Sequence, residues 1–518
     1  MGRNGGSEKA SSFEISQKWS YFALALLLLY AFARSIVAAA GKPFWYDELL
    51  TTVVAAQGSW HRIVTALLGP TDGQPPLFYV IEHFASGLCT NQHIALRLPA
   101  AVGLVCTLWC VFVYARRRCS EALALLCTTA VWITCVFQYY AQEARPYSMV
   151  VALIAFAMVC YQRVERLSWR VLLGMSLFLA QSLHYLAVLA MVPFVAAELL
   201  ETWKSKKIRT SVWAALVIGV LPLAIFWNLL QLNKTYYGQH HFYAKFPFSA
   251  IPSMYADFLG VSSYVGAAVG LTALAAILVS VTMPGRGGNC QEGDWNAATS
   301  GEAMLLFVLA GLPFAAFVFS KATHSGMTSR YVLATVLGIV LGLGYYGAKA
   351  DNRAILVAGM FVVSATGVSE LHFWRFEAVE RGAVRVRGST TEKFVASAGY
   401  ADLPVVAPNA GTLLAAAYYA FPGATERLVF LQEPRSPDDP NSSDTTEKGL
   451  LQVRKYIPIQ VLPTEEFLAK HERFLVYTEG LDVGKDRVTS QELKNGWDVR
   501  MVAFDGYRAL YLVSRNVK

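Results

Sequence analysis

Charged residues are scarce in this 518-residue chain: they make up 15% of it, whereas apolar residues make up 55%. A soluble globular protein carries about a quarter charged residues. The mean hydropathy of +0.39 points the same way, so the composition excludes an ordinary soluble protein and predicts an integral membrane protein. Residues 372–518 hold 19 basic and 19 acidic residues, which leaves the whole net charge of +8 to residues 1–371.

Cysteine is absent after residue 371, and no two cysteines are spaced as Cys-x-x-Cys. Seven of the eight lie in or beside apolar segments, and the eighth, Cys290, lies in a short polar stretch. This usage predicts neither a disulfide framework nor a zinc site. Internal repeats, heptads and low-complexity tracts are also lacking, which excludes a repeat protein or a coiled coil.

Long apolar runs fill the first part of the chain, and a membrane-spanning helix needs about 20 such residues. The first run has no convincing cleavage site, so we expect it to be retained as a helix. About eleven spans are predicted, near residues 20–40, 98–115, 121–139, 147–162, 170–185, 187–201, 211–231, 261–282, 302–319, 331–348 and 354–371.

Basic residues in the short loops predict the orientation, because Lys and Arg accumulate on the cytoplasmic side. Arg116–Arg118 and similar loop clusters fall on one side if the N-terminus is cytoplasmic. We interpret these clusters as membrane anchors and not as a nucleic-acid-binding patch. The opposite, outer side then receives residues 41–97, "QEARPYS", the turn at His184–Tyr185, residues 233–260, "KATHSGMTSRY" and residues 372–518.

The last 147 or so residues follow a different pattern, in which short β-branched runs alternate with helical ones. "LPVVAPNA", "ERLVFLQEP", "ERFLVYTEG" and "YRALYLVSR" predict strands, and "GTLLAAAYYAF" and "TEEFLAKH" predict helices. The alternation favours a small α/β domain over residues 372–518, with "EPRSPDDPNSSDTTEKG" as an exposed loop. The predicted fold is therefore an α-helical polytopic membrane domain, residues 1–371, followed by an outer α/β domain.

Ionisable residues on the predicted outer face are candidates for function, because such groups are costly to place at a membrane. Asp47 and Glu48 follow the aromatic trio Phe44–Tyr46, and Glu143 precedes Arg145 by two residues. The acids on this face are Asp47, Glu48, Asp72, Glu82, Glu143, Asp257 and Glu370, and the basic residues include Lys42, Arg97, Arg145, Lys321 and Arg330.

These residue types match a defined chemistry. A carboxylate can accept a proton from an attacking hydroxyl as a general base. Arginine binds a phosphate through two parallel hydrogen bonds. Together, beside apolar helices, they favour a substrate with a lipid tail and a phosphate head, although composition does not identify the group transferred.

Structural roles remain open for the same residues. Asp47 and Glu48 could cap a helix at the interface, since acids stabilise a helix N-terminus. Arg145 and Arg330 could be anchors at the ends of spans. His184 could serve in helix packing or line a pocket.

Six motifs occur in an order that resembles the polytopic GT-C glycosyltransferases. They are "FWYDELLT", "DGQPPLFYVIEHF", "ALRLPAAVGL", "YAQEARPYSM", "LHYLAVL" and "SRYVLA", spread over roughly residues 20–345. The chain is most similar to the bacterial branch related to protein O-mannosyltransferases and the lipid A aminoarabinose transferase. The resemblance implies a polyprenyl-phosphate-linked sugar as donor, a protein, lipid or glycan acceptor, and catalysis at the outer face of a bacterial inner membrane, usually with inversion.

The resemblance also implies roles for individual residues. Asp47 would be the general base and Glu48 its supporting carboxylate. Arg145 and Arg330 would bind the donor phosphate, and Glu143 would orient Arg145 or contact the sugar. The remaining substrate-binding candidates are Gln74, His83, Tyr147, His184, Tyr185 and Tyr331.

Some features depart from the resemblance or leave alternatives. Relatives often carry a proline shortly after the Arg-Tyr pair, whereas "SRYVLATVLG" has none. Asp47 and Glu48 have no evident companions for a hard-cation site, so we predict no metal and no cofactor. A transporter or flippase for a lipid-linked sugar is the alternative function, although transporters commonly contain internal repeats. A third hypothesis makes residues 372–518 a ligand-sensing or partner-binding domain on a membrane anchor.

Overall fold

The structure is a computed structural model of the chain. It describes residues 16–237, 246–259, 300–347, 352–377, 400, 402–420, 425–432, 445–479, 496–504 and 508–515. These residues form a mostly helical body followed by a smaller domain built on a β-sheet.

Helices account for most of the described chain as far as residue 377. They are α1 (Gln17–Gly41), α2 (Tyr46–Ala55), α3 (Trp60–Leu68), α4 (Pro76–Ser86), α5 (Gln92–Ala95), α6 (Leu98–Ala115), α7 (Glu121–Trp132), α8 (Cys135–Tyr140), α9 (Tyr147–Tyr161), α10 (Leu167–Leu183), α11 (Val192–Ser205), α12 (Thr210–Ile225), α13 (Trp227–Tyr237), α14 (Ala250–Leu259), α15 (Ser300–Ala310), α16 (Leu312–Thr323), α17 (Thr335–Gly347) and α18 (Asn352–His372). Short 3₁₀ helices cover Tyr185–Met191 and Ser329–Val332, and a π-helical turn covers Phe373–Glu377.

The predicted spans coincide with helices wherever the structure describes them. Three helical stretches are long and apolar enough to cross a membrane, namely Gln17–Gly41, Gln92–Ala115 and Tyr185–Ser205. Two bent pairs, α12 with α13 and α15 with α16, bring that number to five among the described residues. The predicted span at 261–282 lies outside those residues. The membrane character is supported, while eleven crossings and their orientation stay predictions.

The predicted outer loop, residues 41–97, folds into the short helices α2 to α5. Asp47 and Glu48 occupy the first turn of α2, where negative charge stabilises the helix N-terminus. Glu48 Oε2 also accepts a hydrogen bond from Trp45 N at 3.2 Å. Pro76 begins α4, a position where its fixed φ favours the helix and its missing N–H is not needed.

The C-terminal part forms one six-stranded mixed sheet with the strand order β3-β2-β1-β4-β6-β5. Strands β1 to β4 pair in parallel, and β6 runs antiparallel between β4 and β5. The strands are β1 (Val405–Ala407), β2 (Leu428–Gln432), β3 (Gln460–Pro463), β4 (Arg473–Glu479), β5 (Trp497–Phe504) and β6 (Arg508–Arg515). The helices beside them are α19 (Ala410–Ala415), α20 (Thr445–Val453) and α21 (Thr464–Lys470).

The four predicted strands correspond to β1, β2, β4 and β6, and the two predicted helices to α19 and α21, so these assignments are confirmed. The predicted loop over 433–449 is wrong at its end, because α20 begins at Thr445. Its residues Leu450 and Val453 are fully buried, at a helical spacing of three. The rest of that loop, 433–444, lies outside the described residues.

The sheet domain packs directly against the outer loop. One apolar core contains Phe44, Leu49 and Leu50 of the loop together with Leu413 and Leu450 of the domain. Because these side chains share one buried cluster, the first turns of α2 are held between the helical body and the sheet domain.

Candidate active site

Asp47 lies where α2 begins and is held between two arginines. Its Oδ2 accepts a hydrogen bond from Arg330 Nη1 at 3.2 Å and lies 3.9 Å from Arg145 Nη2. The Asp47 side chain is 18% exposed. The structure therefore brings together three residues that the motifs predicted, from positions far apart in the sequence, around a carboxylate that remains accessible.

Arg145 is oriented by a second carboxylate. After a turn in which its N–H donates to Glu143 O at 2.7 Å, its Nη1 donates to Asp72 Oδ2 at 2.7 Å. The same nitrogen lies 3.2 Å from Thr51 Oγ1 and 3.2 Å from Asp47 O. Arg145 is nearly buried, so these contacts fix its guanidinium group against α2.

Arg330 reaches Asp47 from the 3₁₀ helix Ser329–Val332. Its guanidinium carbon lies 5.6 Å from the Trp45 ring centre, 5.7 Å from that of Tyr147 and 5.3 Å from that of Tyr331. Such aromatic faces attract a cation. The positive charge of Arg330 is therefore held beside Asp47 by aromatic rings from three separate segments.

Glu48 forms a buried ion pair with a different arginine, Arg97. Arg97 donates from Nε to Oε1 and from Nη2 to Oε2, each at 2.7 Å, and both side chains are fully buried. Oε1 also accepts a hydrogen bond from Ala144 N at 2.7 Å. Glu48 therefore ties α2 to α6 and to the segment that carries Arg145, which is a structural position beside Asp47.

Glu143 pairs with Lys42, whose Nζ lies 2.9 Å from Glu143 Oε1 and 4.1 Å from the ring centre of Tyr139. The resemblance led us to expect that the Glu143 side chain would either orient Arg145 or contact the sugar. The structure gives the orienting role to Asp72, because the short loop 69–75 places Asp72 against Arg145 while Glu143 turns towards the end of α1.

Burial changes the proton affinity of these groups. It raises the pKa of Asp47 above the usual aspartate range, against the opposing effect of Arg145 and Arg330. It also raises the pKa of Glu143, which Lys42 opposes, and lowers the pKa of Lys42, which Glu143 opposes. A carboxylate with a raised pKa is a better proton acceptor near neutral pH.

Further predicted residues line a small cavity beside Arg330. His184, Tyr147 and Tyr331 border a cavity of about 20 Å³, which is enough for one water molecule. The His184 ring lies 5.5 Å from that of Tyr147 and 5.3 Å from that of Tyr331. His184 Nε2 and the hydroxyls of Tyr147 and Tyr185 are buried without a hydrogen-bond partner among the described residues.

One predicted substrate-binding residue lies away from Asp47. His83 Nδ1 is 3.0 Å from Ala55 O, at the end of α2 opposite Asp47, which is about 12 Å along a helix axis. His83 is therefore not among the side chains that surround Asp47, and its substrate-binding role stays a prediction. Gln74 is half-buried in the loop that follows Asp72.

Four residues that contribute to the site received no role from the sequence: Lys42, Trp45, Asp72 and Arg97. The sequence identified Asp72, Lys42 and Arg97 as charges on the predicted outer face. The available signal was that charged residues are scarce in this part of the chain. Their partners could not be read from spacing, because each pairs with a residue more than forty positions away. In the part of the chain that the structure describes, no three His, Cys, Asp or Glu residues are grouped to hold a metal ion.

Solved structures share the architecture of this chain. ArnT from Cupriavidus metallidurans, bound to undecaprenyl phosphate, matches with a TM-score of 0.56 at 12% identity, over 96% of this chain and 98% of that chain. Its apo structure matches with a TM-score of 0.58 at 11% identity over the same shares. The protein O-mannosyltransferase complex Pmt1-Pmt2 of S. cerevisiae, bound to the sugar donor, gives 0.33 at 14% identity, over 47% of this chain and 37% of that chain.

No family model matches the chain, and no curated protein matches it in sequence. The ArnT structures nevertheless align with nearly its whole length, including the sheet domain. The chain therefore has the fold of ArnT, which agrees with the fold that the resemblance of its six motifs implies.

Proposed function

We propose that this protein is a membrane glycosyltransferase that moves a sugar from a polyprenyl-phosphate donor to an acceptor hydroxyl. The observation that carries the proposal is Asp47, an accessible carboxylate held by Arg145 and Arg330. The fold adds support, since it is shared with an ArnT structure that contains undecaprenyl phosphate.

The two arginines would hold the donor phosphate. A guanidinium group matches a phosphate with two hydrogen bonds, and Arg145 and Arg330 converge on one point at Asp47. The unpartnered atoms of Tyr147, His184 and Tyr185 lie beside them. These atoms would hydrogen-bond hydroxyls of the sugar, which would satisfy polar groups that are otherwise costly to bury.

Donor binding would activate the base. A phosphate bound to Arg145 and Arg330 would partly neutralise the two positive charges that oppose the raised pKa of Asp47. Asp47 would then accept the proton of the acceptor hydroxyl. The acceptor oxygen forms a bond to the anomeric carbon, the bond from that carbon to the phosphate oxygen breaks, and polyprenyl phosphate leaves with the electron pair. Attack from the face opposite the phosphate inverts the anomeric configuration.

The neighbouring ion pairs would position these groups. Asp72 orients Arg145, and the buried pair of Glu48 and Arg97 holds the start of α2. We assign the site and the sheet domain to the outer face of a bacterial inner membrane, as the distribution of loop charges predicts.

A deletion strain tests this function. We expect the lipids and glycans of this strain to lack one product, and the wild-type gene should restore it. The Asp47→Asn variant should not restore the product, although that variant is present in the membrane at normal amounts. Asp498→Asn, which alters an exposed aspartate on edge strand β5, is the matched control and should restore the product. A strain in which Asp47→Asn restores the product fully would contradict the proposal.

A further inference from the structure

A second cavity lies on the other side of α2 from Asp47. It forms where α2, α4 and α5 of the outer loop meet the sheet domain, and its volume is about 340 Å³. Small-molecule sites commonly measure about 300–1,000 Å³ and often lie between domains. The cavity is therefore large enough for a ligand, and none of the residues discussed above as the active site lines it.

The cavity wall combines apolar surface with several uncharged polar side chains. Tyr418 and Tyr456 come from the sheet domain, and Thr52, Gln57, Ser86 and Gln92 come from the outer loop. The other described residues that line it are aliphatic, so no charged residue borders it there. This differs sharply from the site around Asp47 and argues for a neutral ligand, because a buried charge needs a partner.

Four polar side chains of the wall are held in place by hydrogen bonds that they donate to backbone carbonyl oxygens. Gln57 Nε2 donates to Val53 O at 2.9 Å, and Gln92 Nε2 donates to Ser86 O at 3.0 Å. The hydroxyl of Thr52 donates to Leu49 O at 2.7 Å.

The Ser86 hydroxyl donates in the same way, to His83 O at 2.6 Å. With these hydrogen bonds made, each glutamine keeps its amide oxygen and one N–H, and each of the two hydroxyls keeps its acceptor capacity. A preformed wall that offers both acceptors and donors suits a ligand that is rich in hydroxyl groups.

The tyrosines complete this chemistry. Tyr418 is 37% exposed, and its ring is held edge-on by Phe44 at 5.6 Å and by Tyr419 at 4.8 Å. A rigid tyrosine offers an apolar face and a polar tip with little entropy to lose on binding. Aromatic faces, amide oxygens and hydroxyls without charge are the combination that recognises a neutral sugar.

The cavity is remote from the reacting atoms. Thr52 follows Asp47 by five residues on α2, which corresponds to about 7.5 Å along the helix and about 140° around it. A hydroxyl of a ligand in this cavity therefore cannot transfer its proton directly to Asp47. Its binding energy can still orient an attached acceptor, because remote contacts contribute to the reaction by positioning.

We propose that this cavity is a binding subsite for a neutral saccharide unit of the acceptor. The proposal rests on the proposed glycosyltransferase function. It implies that the acceptor extends around α2, with its reacting hydroxyl at Asp47 and a distant sugar between the outer loop and the sheet domain.

Saturation-transfer NMR on the full-length protein in detergent tests the subsite without any donor. The probes are neutral trisaccharides of glucose, mannose, galactose and N-acetylglucosamine, with glucose 6-phosphate as the charged comparison. We expect binding of at least one neutral trisaccharide. Tyr418→Ala and Gln57→Leu should each weaken it by about tenfold, the scale of a lost central contact.

The control is Phe84→Ala, which removes an exposed ring of α4 that does not line the cavity, and it should leave binding unchanged. Asp47→Asn should also bind normally, which separates the subsite from the transfer reaction. Absence of binding for all neutral probes, preference for the phosphorylated sugar, or unchanged binding in both cavity variants would overturn the proposal.

Discussion

Asp47 and Glu48 are neighbours in sequence, yet their different environments indicate different roles. Glu48 is fully buried, and both of its oxygens bind Arg97. Asp47 remains accessible and shares the charges of two arginines. The helix-stabilising role open to both from sequence thus fits Glu48, while Asp47 keeps the geometry of a proton acceptor.

The pH dependence of transfer tests the role of Asp47. Only the ionised carboxylate can accept a proton, and burial raises its pKa. The rate should therefore fall as the pH drops through a value above the ordinary aspartate range of about 3.9. Measured rates of the purified protein across pH should show this acidic limb. A rate that stays constant down to pH values near that range would contradict the assignment.

Glu48→Gln tests the buried ion pair. The substitution leaves the Arg97 guanidinium buried without a counter-charge, and breaking such a pair costs about 3–5 kcal/mol. We expect a clear fall in the thermal unfolding midpoint. Glu466→Gln is the control, because its pair with Lys470 is exposed and should contribute under about 1 kcal/mol. Equal midpoints for the two variants would rule out this role for Glu48.

At the scale of elements, α2 is positioned by the sheet domain as well as by the helices. Tyr419 follows α19 in the chain. Its hydroxyl accepts a hydrogen bond from Phe44 N at 2.7 Å and lies 2.7 Å from His93 Nε2. Phe44 also stacks on His93, with ring centres 4.5 Å apart. The segment that leads into Asp47 is therefore anchored from a residue 375 positions away.

Tyr419→Phe tests whether this anchor supports catalysis. Loss of about 1 kcal/mol per hydrogen bond should loosen the start of α2 and lower kcat several-fold. Tyr236→Phe is the matched control, since its hydroxyl also makes two hydrogen bonds to the sheet domain, to Lys448 O and Gln452 Nε2. The two variants should lose similar stability. An equal loss of kcat in both would show that Tyr419 acts through general docking and not at α2.

The packing of α6 on α9 depends on glycine. A Cβ atom at Gly103 would lie 2.8 Å from Met149 N and 2.9 Å from the carbonyl carbon of Ser148. Backbone atoms cannot move aside as a side chain can, so Gly103→Ala should destabilise the protein by about 1–3 kcal/mol. A Cβ atom added at Gly359 in α18 would contact nothing within 4 Å. Gly359→Ala should therefore be neutral or stabilising. Thermal unfolding of the two variants measures this difference, and a stable Gly103→Ala would refute it.

Elements were easier to predict than contacts. Apolar runs and β-branched runs placed the helices and four of the strands, because each signal is local. Strands β3 and β5 escaped prediction, since "QVLP" is too short and the apolar–polar alternation of "WDVRMVAF" in β5 breaks off after its first five residues. The pairing of Asp72 with Arg145, or of Tyr419 with Phe44, has no local signal, because it depends on how distant loops pack.

At the scale of the whole molecule, the shared fold explains how scattered motifs form one site. Asp47, Arg145 and Arg330 come from three segments that meet between the helical body and the sheet domain. A flippase would require groups near the membrane midplane, whereas this cluster adjoins the sheet domain through α2. The sheet domain itself is part of the architecture that this chain shares with ArnT.

Arg145 and Arg330 bind the phosphate of the polyprenyl donor in the proposed mechanism. Native mass spectrometry of the full-length protein with undecaprenyl phosphate measures this binding directly. Arg330→Gln should weaken it by at least about tenfold, the energy of a charge-assisted hydrogen bond. Lys321→Gln, which removes an exposed cation at the end of α16, should leave it unchanged. Equal binding by the wild type and Arg330→Gln would contradict the account.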